Sequence, residues 1–413
     1  KNDFYCGERG KKMPIAGIIA EYDPLHAGHL YQISRVRDLL GADTPIVCAM
    51  SGNFVQRGGF AIVRKHVRAE AAVRSGADLV LELPLPWAIS SAEGFGLGGA
   101  EVLARTGIVT HLAFGSECAD AERLKRAAQA LGAPEFPDLL RKELAAGDSF
   151  AAARQRAVEK IADTGTAGVL GSPNNILGVE YCKALTRLGS GIAPLAILRK
   201  GPAHNGGAEG MLASASAIRE LLAQGAREDA LARMVPAMRE AYLREEAAGR
   251  APVRLETCER AILARLRSMT AAEVQALDSG NEGLGNRFYA AIRESTGLTE
   301  LLDVVKTKRY AYSRVRRMAL WAYLGLSPAE IPGEIPYLRV LAANETGRAL
   351  LGKMRKCAST PVLTKPADVR KLDPAAQNLF AWEARATDLY TLGYPDLSAA
   401  GGGAEWRINP VMI

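Results

Sequence analysis

Short, continuous apolar runs alternate with amphipathic stretches along the first two hundred residues. Pro14–Ala20 and Pro45–Met50 are apolar throughout, with the length and uniformity of strands buried on both faces. Asp78–Leu83, Thr110–Phe114 and Pro194–Leu198 repeat the pattern. Between the first two, Leu30, Ile33, Val36 and Leu40 recur at helical spacing and predict a helix over His29–Leu40. Further helices are predicted over Arg64–Ser75, Trp87–Thr106, Asn175–Leu188 and Ser216–Gln224. Strand–helix repetition with non-alternating apolar strands indicates an α/β fold, a doubly wound parallel sheet covered on both faces. The stretch near 119–160 is Ala-rich with charges at helical spacing, predicting a helical insertion. Beyond about 230 the patterns turn mainly helical, as in Arg254–Met269 and Tyr310–Leu324. The domain boundary therefore falls within Pro236–Arg254, separating an α/β domain over 13–235 from a mainly helical C-terminal domain over 250–400.

Composition narrows the class. A chain of 413 residues is long enough for two or three domains. With 48% hydrophobic and 23% charged residues it reads as a soluble globular enzyme. Its six cysteines form no CxxC pair, against both a zinc site and a disulfide framework, and no metal ligands are assigned. No apolar run approaches the roughly 20 residues that span a bilayer. The polar leader Lys1–Lys12 lacks a signal-peptide core, so a cytoplasmic protein with no membrane partner is expected. Net charge is +7, and residues 251–413 carry 22 Lys+Arg against 17 Asp+Glu. That basic excess permits a nucleic-acid partner without requiring one.

Chemistry concentrates where the first strand ends, in Glu21-Tyr22-Asp23-Pro24-Leu25-His26-Ala27-Gly28-His29. In a doubly wound sheet, ligands bind at the carboxyl ends of the strands. A helix starting there points free N–H groups and a partial positive charge at the crevice, which suits phosphate. Gly28 allows close approach of the backbone, and His26 and His29 can donate to charge that builds on a phosphate. Two histidines that merely cap the helix, or a His-x-x-His metal site, are the rival readings.

The resemblance extends beyond this motif. The sequence resembles the HIGH-motif nucleotidyltransferase superfamily. Within it, Ser51–Gly58, Lys65, Asp78–Pro84, Phe114–Glu117, Ser172–Tyr181 and Ser214–Arg219 are similar to the tRNA(Met) cytidine acetate ligase family. The resemblance implies a Rossmann-like nucleotidyltransferase sheet that binds ATP with its accompanying Mg²⁺. The implied reaction forms acetyl-adenylate from acetate, then acetylates the N4 amine of the wobble cytidine of elongator tRNA(Met), giving N4-acetylcytidine. It implies catalytic roles for His26, His29, Lys65, Ser216 and Arg219. Nucleotide contacts are implied for Ile19, Ala20, Glu21, Tyr22, Asp23, Pro24, Leu25, Gly28 and Leu30, and for Gly115, Ser116, Asn174, Asn175 and Arg199. Lys200 is expected beside Arg199. No protein partner follows from the sequence.

Lys65 is expected near a helix start, contacting phosphate or tRNA, with a solvated lysine as the alternative. One of Asn174 and Asn175 is expected to cap a helix. Lys306, Lys308, Arg309, Arg314, Arg316 and Arg317 place six cations in twelve residues without an acid. They are expected to bind tRNA, with Tyr310 and Tyr312 stacking on bases; a solvated cationic helix face is the alternative. Asp23, Leu25 and Ala27 depart from the family pattern, as does Gly201–Asn205. A carboxylate at 23 repels a phosphate unless it engages Mg²⁺. The rivals to the ligase are a small-molecule adenylyltransferase of the same superfamily and a tRNA-binding protein with a degenerate nucleotide site.

Overall fold

A computed structural model of the protein describes residues 13–147, 149–199, 214–278 and 283–413; Lys200 and Gly201–Asn205 lie outside them. The parallel sheet forms where the apolar runs predict it. Strands β1 (Ala16–Ala20) and β2 (Ile46–Ser51) are followed by a small antiparallel hairpin, β3 (Phe54–Val55) and β4 (Gly59–Phe60). Then come β5 (Leu79–Leu83), β6 (His111–Ser116) and β7 (Ala193–Leu198). Strand order is β5-β2-β1-β6-β7, all parallel, with β1 central.

Helices cover both faces because the strands are apolar on both. The Ala27–Leu40 and Lys65–Arg74 helices pack on one face, Ala92–Arg105 and Pro173–Arg187 on the other. The predicted Trp87–Thr106 helix is two pieces, Leu85–Ala88 and Ala92–Arg105; Ser91 caps the second, its Oγ accepting from the Gly94 N–H at 3.3 Å. The glycines of that second helix serve close packing. A Cβ at Gly98 would lie 2.4 Å from Trp87, and one at Gly99 2.6 Å from Ile19 of β1. The 119–160 region is helical, as Ala121–Leu131, Phe136–Ala145 and Phe150–Ile161.

The C-terminal part is mainly helical but returns to the sheet. Strand β8 (Leu338–Ala343) runs antiparallel to β5, and β9 (Val362–Leu363) and β10 (Val411–Met412) pair with β8. The sheet therefore draws strands from both sides of the expected boundary. Helices from Glu259–Ser268 to Tyr312–Leu324, with the end of Pro374–Thr391, enclose a separate core around Phe288, Trp321 and Tyr390, whereas Glu345–Cys357 packs on the sheet. Among the described residues no helix is long and apolar enough to cross a membrane.

Candidate active site

The carboxyl ends of β1, β6 and β7 open into a crevice of about 320 Å³. A larger hollow of about 430 Å³ lies between the Ala92–Arg105, Ala121–Leu131 and Pro173–Arg187 helices, but it contains neither histidine nor strand end. The crevice has both.

At the start of the Ala27–Leu40 helix, His26 and His29 cap each other. The Gly28 N–H donates to His26 Nδ1 at 3.1 Å, and the His26 N–H donates to His29 Nδ1 at 3.2 Å. The rings lie 3.9 Å apart. Capping and chemistry are thus compatible. With Nδ1 accepting, each neutral ring carries its proton on Nε2, a donor. Neutrality follows from the surroundings: burial, aided by Arg199, lowers the His26 pKa to about 4. Burial, then His26 and Arg199, also lowers His29 well below the ordinary histidine value.

Cations flank the crevice. Arg199, at the end of β7, donates to Asn174 Oδ1 at 2.8 Å. Arg219, one turn into the Ala215–Ala223 helix, donates to the Asp23 carbonyl and to Ser216 Oγ. Ser214 caps that helix, accepting from the Ala217 N–H at 3.2 Å. Arg57 lines the crevice, exposed at the tip of the β3–β4 hairpin.

Asp23 is held from two sides. The Ile62 N–H donates to its Oδ1 at 2.8 Å, and Arg219 lies 3.4 Å from its Oδ2. At 2% exposure, this carboxylate is a partner for Arg219 and does not reach out to a cation in the crevice. Beneath it the fully buried Arg68 donates to the carbonyls of Glu21, Ser51, Gly52 and Val63, tying the ends of β1 and β2 together. Nothing in the local sequence singles out Arg68, because its acceptors are backbone carbonyls.

Ile19, Ala20, Glu21, Tyr22, Asp23, His26, Gly28, His29, Gly115, Asn174, Arg199, Ser216 and Arg219 line one crevice. Pro24, Leu25, Leu30, Ser116 and Asn175 do not. Leu25 is fully buried in the core. Ser116 donates to Asn175 Oδ1 at 2.7 Å, and Asn175 also accepts from the Glu117 N–H at 2.9 Å, so both brace the turn after β6. Neither asparagine caps its helix, which begins at Pro173. The Glu117 carboxylate does, accepting from the N–H groups of Asn174 and Asn175. Tyr31 and Phe95 also line the crevice, beyond the residues the sequence singles out, as do Phe114, Leu177 and Tyr181 from the blocks that carry the resemblance. They follow from the fold, since each sits on an element bordering β1 or β6.

Lys65 lies elsewhere. It is the first residue of the Lys65–Arg74 helix, with its side chain 1% exposed. Its ammonium lies 2.5 Å from Glu82, 2.6 Å from Glu405 and 3.7 Å from Glu383. Arg339 pairs with Glu405 in the same cluster. Lys65 is therefore neither solvated nor facing the crevice; its partners lie too far along the chain for a local reading to find.

The basic block divides. Lys306, Lys308 and Arg309 are at least partly exposed. Arg314 pairs with Asp278 at 3.1 Å, Arg316 donates to the Gly58 carbonyl at 3.2 Å, and Arg317 to the Gln56 carbonyl at 3.4 Å. Tyr310 is buried and is not placed to stack on a base; Tyr312 is half-buried. Gly58 has φ +74°, and a Cβ there would meet the Arg317 backbone nitrogen at 2.6 Å. The Tyr312–Leu324 helix thus rests directly on the hairpin that borders the crevice.

The chain is similar over most of its length to known proteins. The family profile of the HIGH Nucleotidyl Transferase matches residues 13–403. The tRNA(Met) cytidine acetate ligase of Acetivibrio thermocellus is 36% identical, over 97% of this chain and 100% of its own length. That of Clostridium novyi is 38% identical over 86% of this chain and 90% of its own. The crystal structure of Thermotoga maritima TmcAL bound with alpha-thio ATP superposes with a TM-score of 0.91 at 33% identity, covering 97% of this chain and 99% of that one. From this shared fold and full-length similarity, the chain belongs to the tRNA(Met) cytidine acetate ligase family of HIGH nucleotidyltransferases.

Proposed function

We propose that the protein is an ATP-dependent ligase that joins acetate to AMP and then acetylates the N4 amine of the wobble cytidine of elongator tRNA(Met). The observation that carries this reading is end-to-end similarity to relatives named for that activity. The crevice supplies a physical account of the first half-reaction. Acetate attacks the α-phosphorus of ATP, an O–P bond forms, and the bond to pyrophosphate breaks. The Nε2–H groups of His26 and His29 and the guanidinium groups of Arg199 and Arg219 are suited to the charge that builds on the phosphates. Mg²⁺ accompanying the nucleotide would offset phosphate charge, while Asp23 faces the Ile62 N–H and Arg219. Adenylation gives acetate a good leaving group, without which the weakly nucleophilic cytidine amine does not react with it.

Ser216 steadies Arg219, and Asn174 steadies Arg199. In the second half-reaction, tRNA docks across Lys306, Lys308 and Arg309, which offer phosphate contacts. These substrates belong to the cytoplasm. The test combines the protein with ATP, labelled acetate and tRNA. The expected result is acetate-dependent pyrophosphate release without tRNA, and label in N4-acetylcytidine with it. Transfer of AMP to a different small molecule overturns the reading in favour of a small-molecule adenylyltransferase.

A further inference from the structure

The second half-reaction needs a proton acceptor. When the cytidine N4 attacks the acetyl carbonyl, an N–C bond forms, the C–O bond to AMP breaks, and one N4 proton must leave. The two histidines cannot take it in the observed arrangement. Each has its Nδ1 lone pair occupied by a backbone N–H, which leaves the proton on Nε2.

The carboxylates near the crevice divide just as clearly. Glu117 uses both oxygens on Asn174 and Asn175. Asp23 spends Oδ1 on the Ile62 N–H, and its Oδ2 is sealed from the crevice beside Arg219. Glu21 differs. It follows directly from β1, lines the crevice, and has only one oxygen engaged: the Gln56 N–H donates to Oε1 at 2.7 Å. Its Oε2 has no hydrogen-bond partner among the described residues and is not sealed from solvent.

We propose that Glu21, oriented by the Gln56 N–H, is the general base that removes the N4 proton during acetyl transfer. This assignment rests on the ligase reading above. The proton passes from N4 to Oε2 as the tetrahedral carbon collapses and AMP leaves as its phosphate anion, so charge and atoms balance. Burial, reinforced by Asp23, raises the Glu21 pKa above the ordinary carboxylate range, which improves it as a proton acceptor. The orienting hairpin is itself held from behind by Arg316 on Gly58 and Arg317 on Gln56. The base is thereby fixed by the same helical region whose outer edge carries Lys306, Lys308 and Arg309.

Glu21→Gln is the discriminating variant, because a glutamine Oε1 still accepts from Gln56 while the basic oxygen is lost. Acetate-dependent ATP–pyrophosphate exchange and single-turnover acetyl transfer from preformed enzyme-bound acetyl-adenylate to tRNA would be measured separately. The expected result is transfer slowed by roughly 10²–10⁴-fold more than exchange, the usual worth of a general base. Wild-type transfer should also rise with pH through the Glu21 pKa and then level off, a limb absent from E21Q. Unchanged transfer in E21Q, or an equal loss of both half-reactions, overturns the assignment while leaving the ligase reading intact. Absence of acetate-dependent exchange in the wild type overturns that reading and this assignment together.

Discussion

Lys65→Met removes a cation from the buried cluster that joins the start of the Lys65–Arg74 helix to β5, β8 and the C-terminal segment. The Lys65 ammonium contacts Glu82 at 2.5 Å and Glu405 at 2.6 Å, with all three side chains at most 2% exposed. Burial disfavours the charged lysine, but Glu405 and Glu82 outweigh it and raise its pKa. Deleting one partner of such a buried pair leaves uncompensated charge and costs about 3–5 kcal/mol. At ~2.1 cal/mol/K per residue, unfolding 413 residues carries an entropy near 0.9 kcal/mol/K, so the melting temperature should fall by about 3–6 °C. Differential scanning calorimetry measures this directly. Combining K65M with Glu405→Met should cost less than the two single losses together, since opposite charges leave at once. Acetate-dependent pyrophosphate exchange, assayed well below the transition, should remain within a few-fold of wild type. A melting point unchanged within about 1 °C alongside abolished exchange would return Lys65 to the crevice.

Acidity in the same cluster has a defined sign. Burial and Glu82 push Glu383 up to about 8, so the folded protein binds an extra proton from the ordinary carboxylate range up to that value. Thermal stability should therefore fall as pH rises from about 5 to 8, and Glu383→Gln should flatten that slope. Burial opposes ionisation of Glu405, but Arg339 and Lys65 hold it down to about 2, so its contribution is lost only as pH drops from the ordinary carboxylate range toward 2. Arg219→Ala should slow adenylate formation by roughly 10²–10³-fold in pyrophosphate exchange with little change in melting temperature, as for loss of a donor to developing charge. Replacing Lys306, Lys308 and Arg309 together with Ala should weaken tRNA binding and leave adenylate formation intact. The salt dependence of binding should become shallower, by about one in slope for each phosphate no longer neutralised. Arg316→Ala, which frees the Gly58 carbonyl, should instead impair acetyl transfer even with tRNA saturating, as single-turnover rates would reveal.

The catalytic half is legible where its physics is local. Strands β1, β2, β5 and β6 are buried on both faces, so their apolar runs stand out within windows of about six residues. The strand-to-helix turn carrying His26, Gly28 and His29 is equally visible, as is the Ser214–Arg219 helix start. Strand β8 escapes the pattern because Arg339 interrupts its apolar run; that arginine is tolerable because Glu405, 66 residues further on, pairs with it, with Glu82 nearby. Lys65 and Arg316 look like solvent-facing cations for the same reason. Their partners are distant carboxylates and backbone carbonyls, which no pattern in neighbouring positions encodes.

The antiparallel pairing of β8 with β5 also bears on how the chain is made. Until residues 338–343 leave the ribosome, β5 presents an unpaired, largely apolar edge, the kind of surface that recruits other chains. About 250 residues separate the two strands, which at 5–20 residues per second is a delay of roughly 10–50 s. The charges at Lys65 and Glu82 wait longer still, for Glu405. The nascent catalytic half therefore passes through a long interval as an aggregation-prone intermediate, and expressing it alone would make that interval permanent.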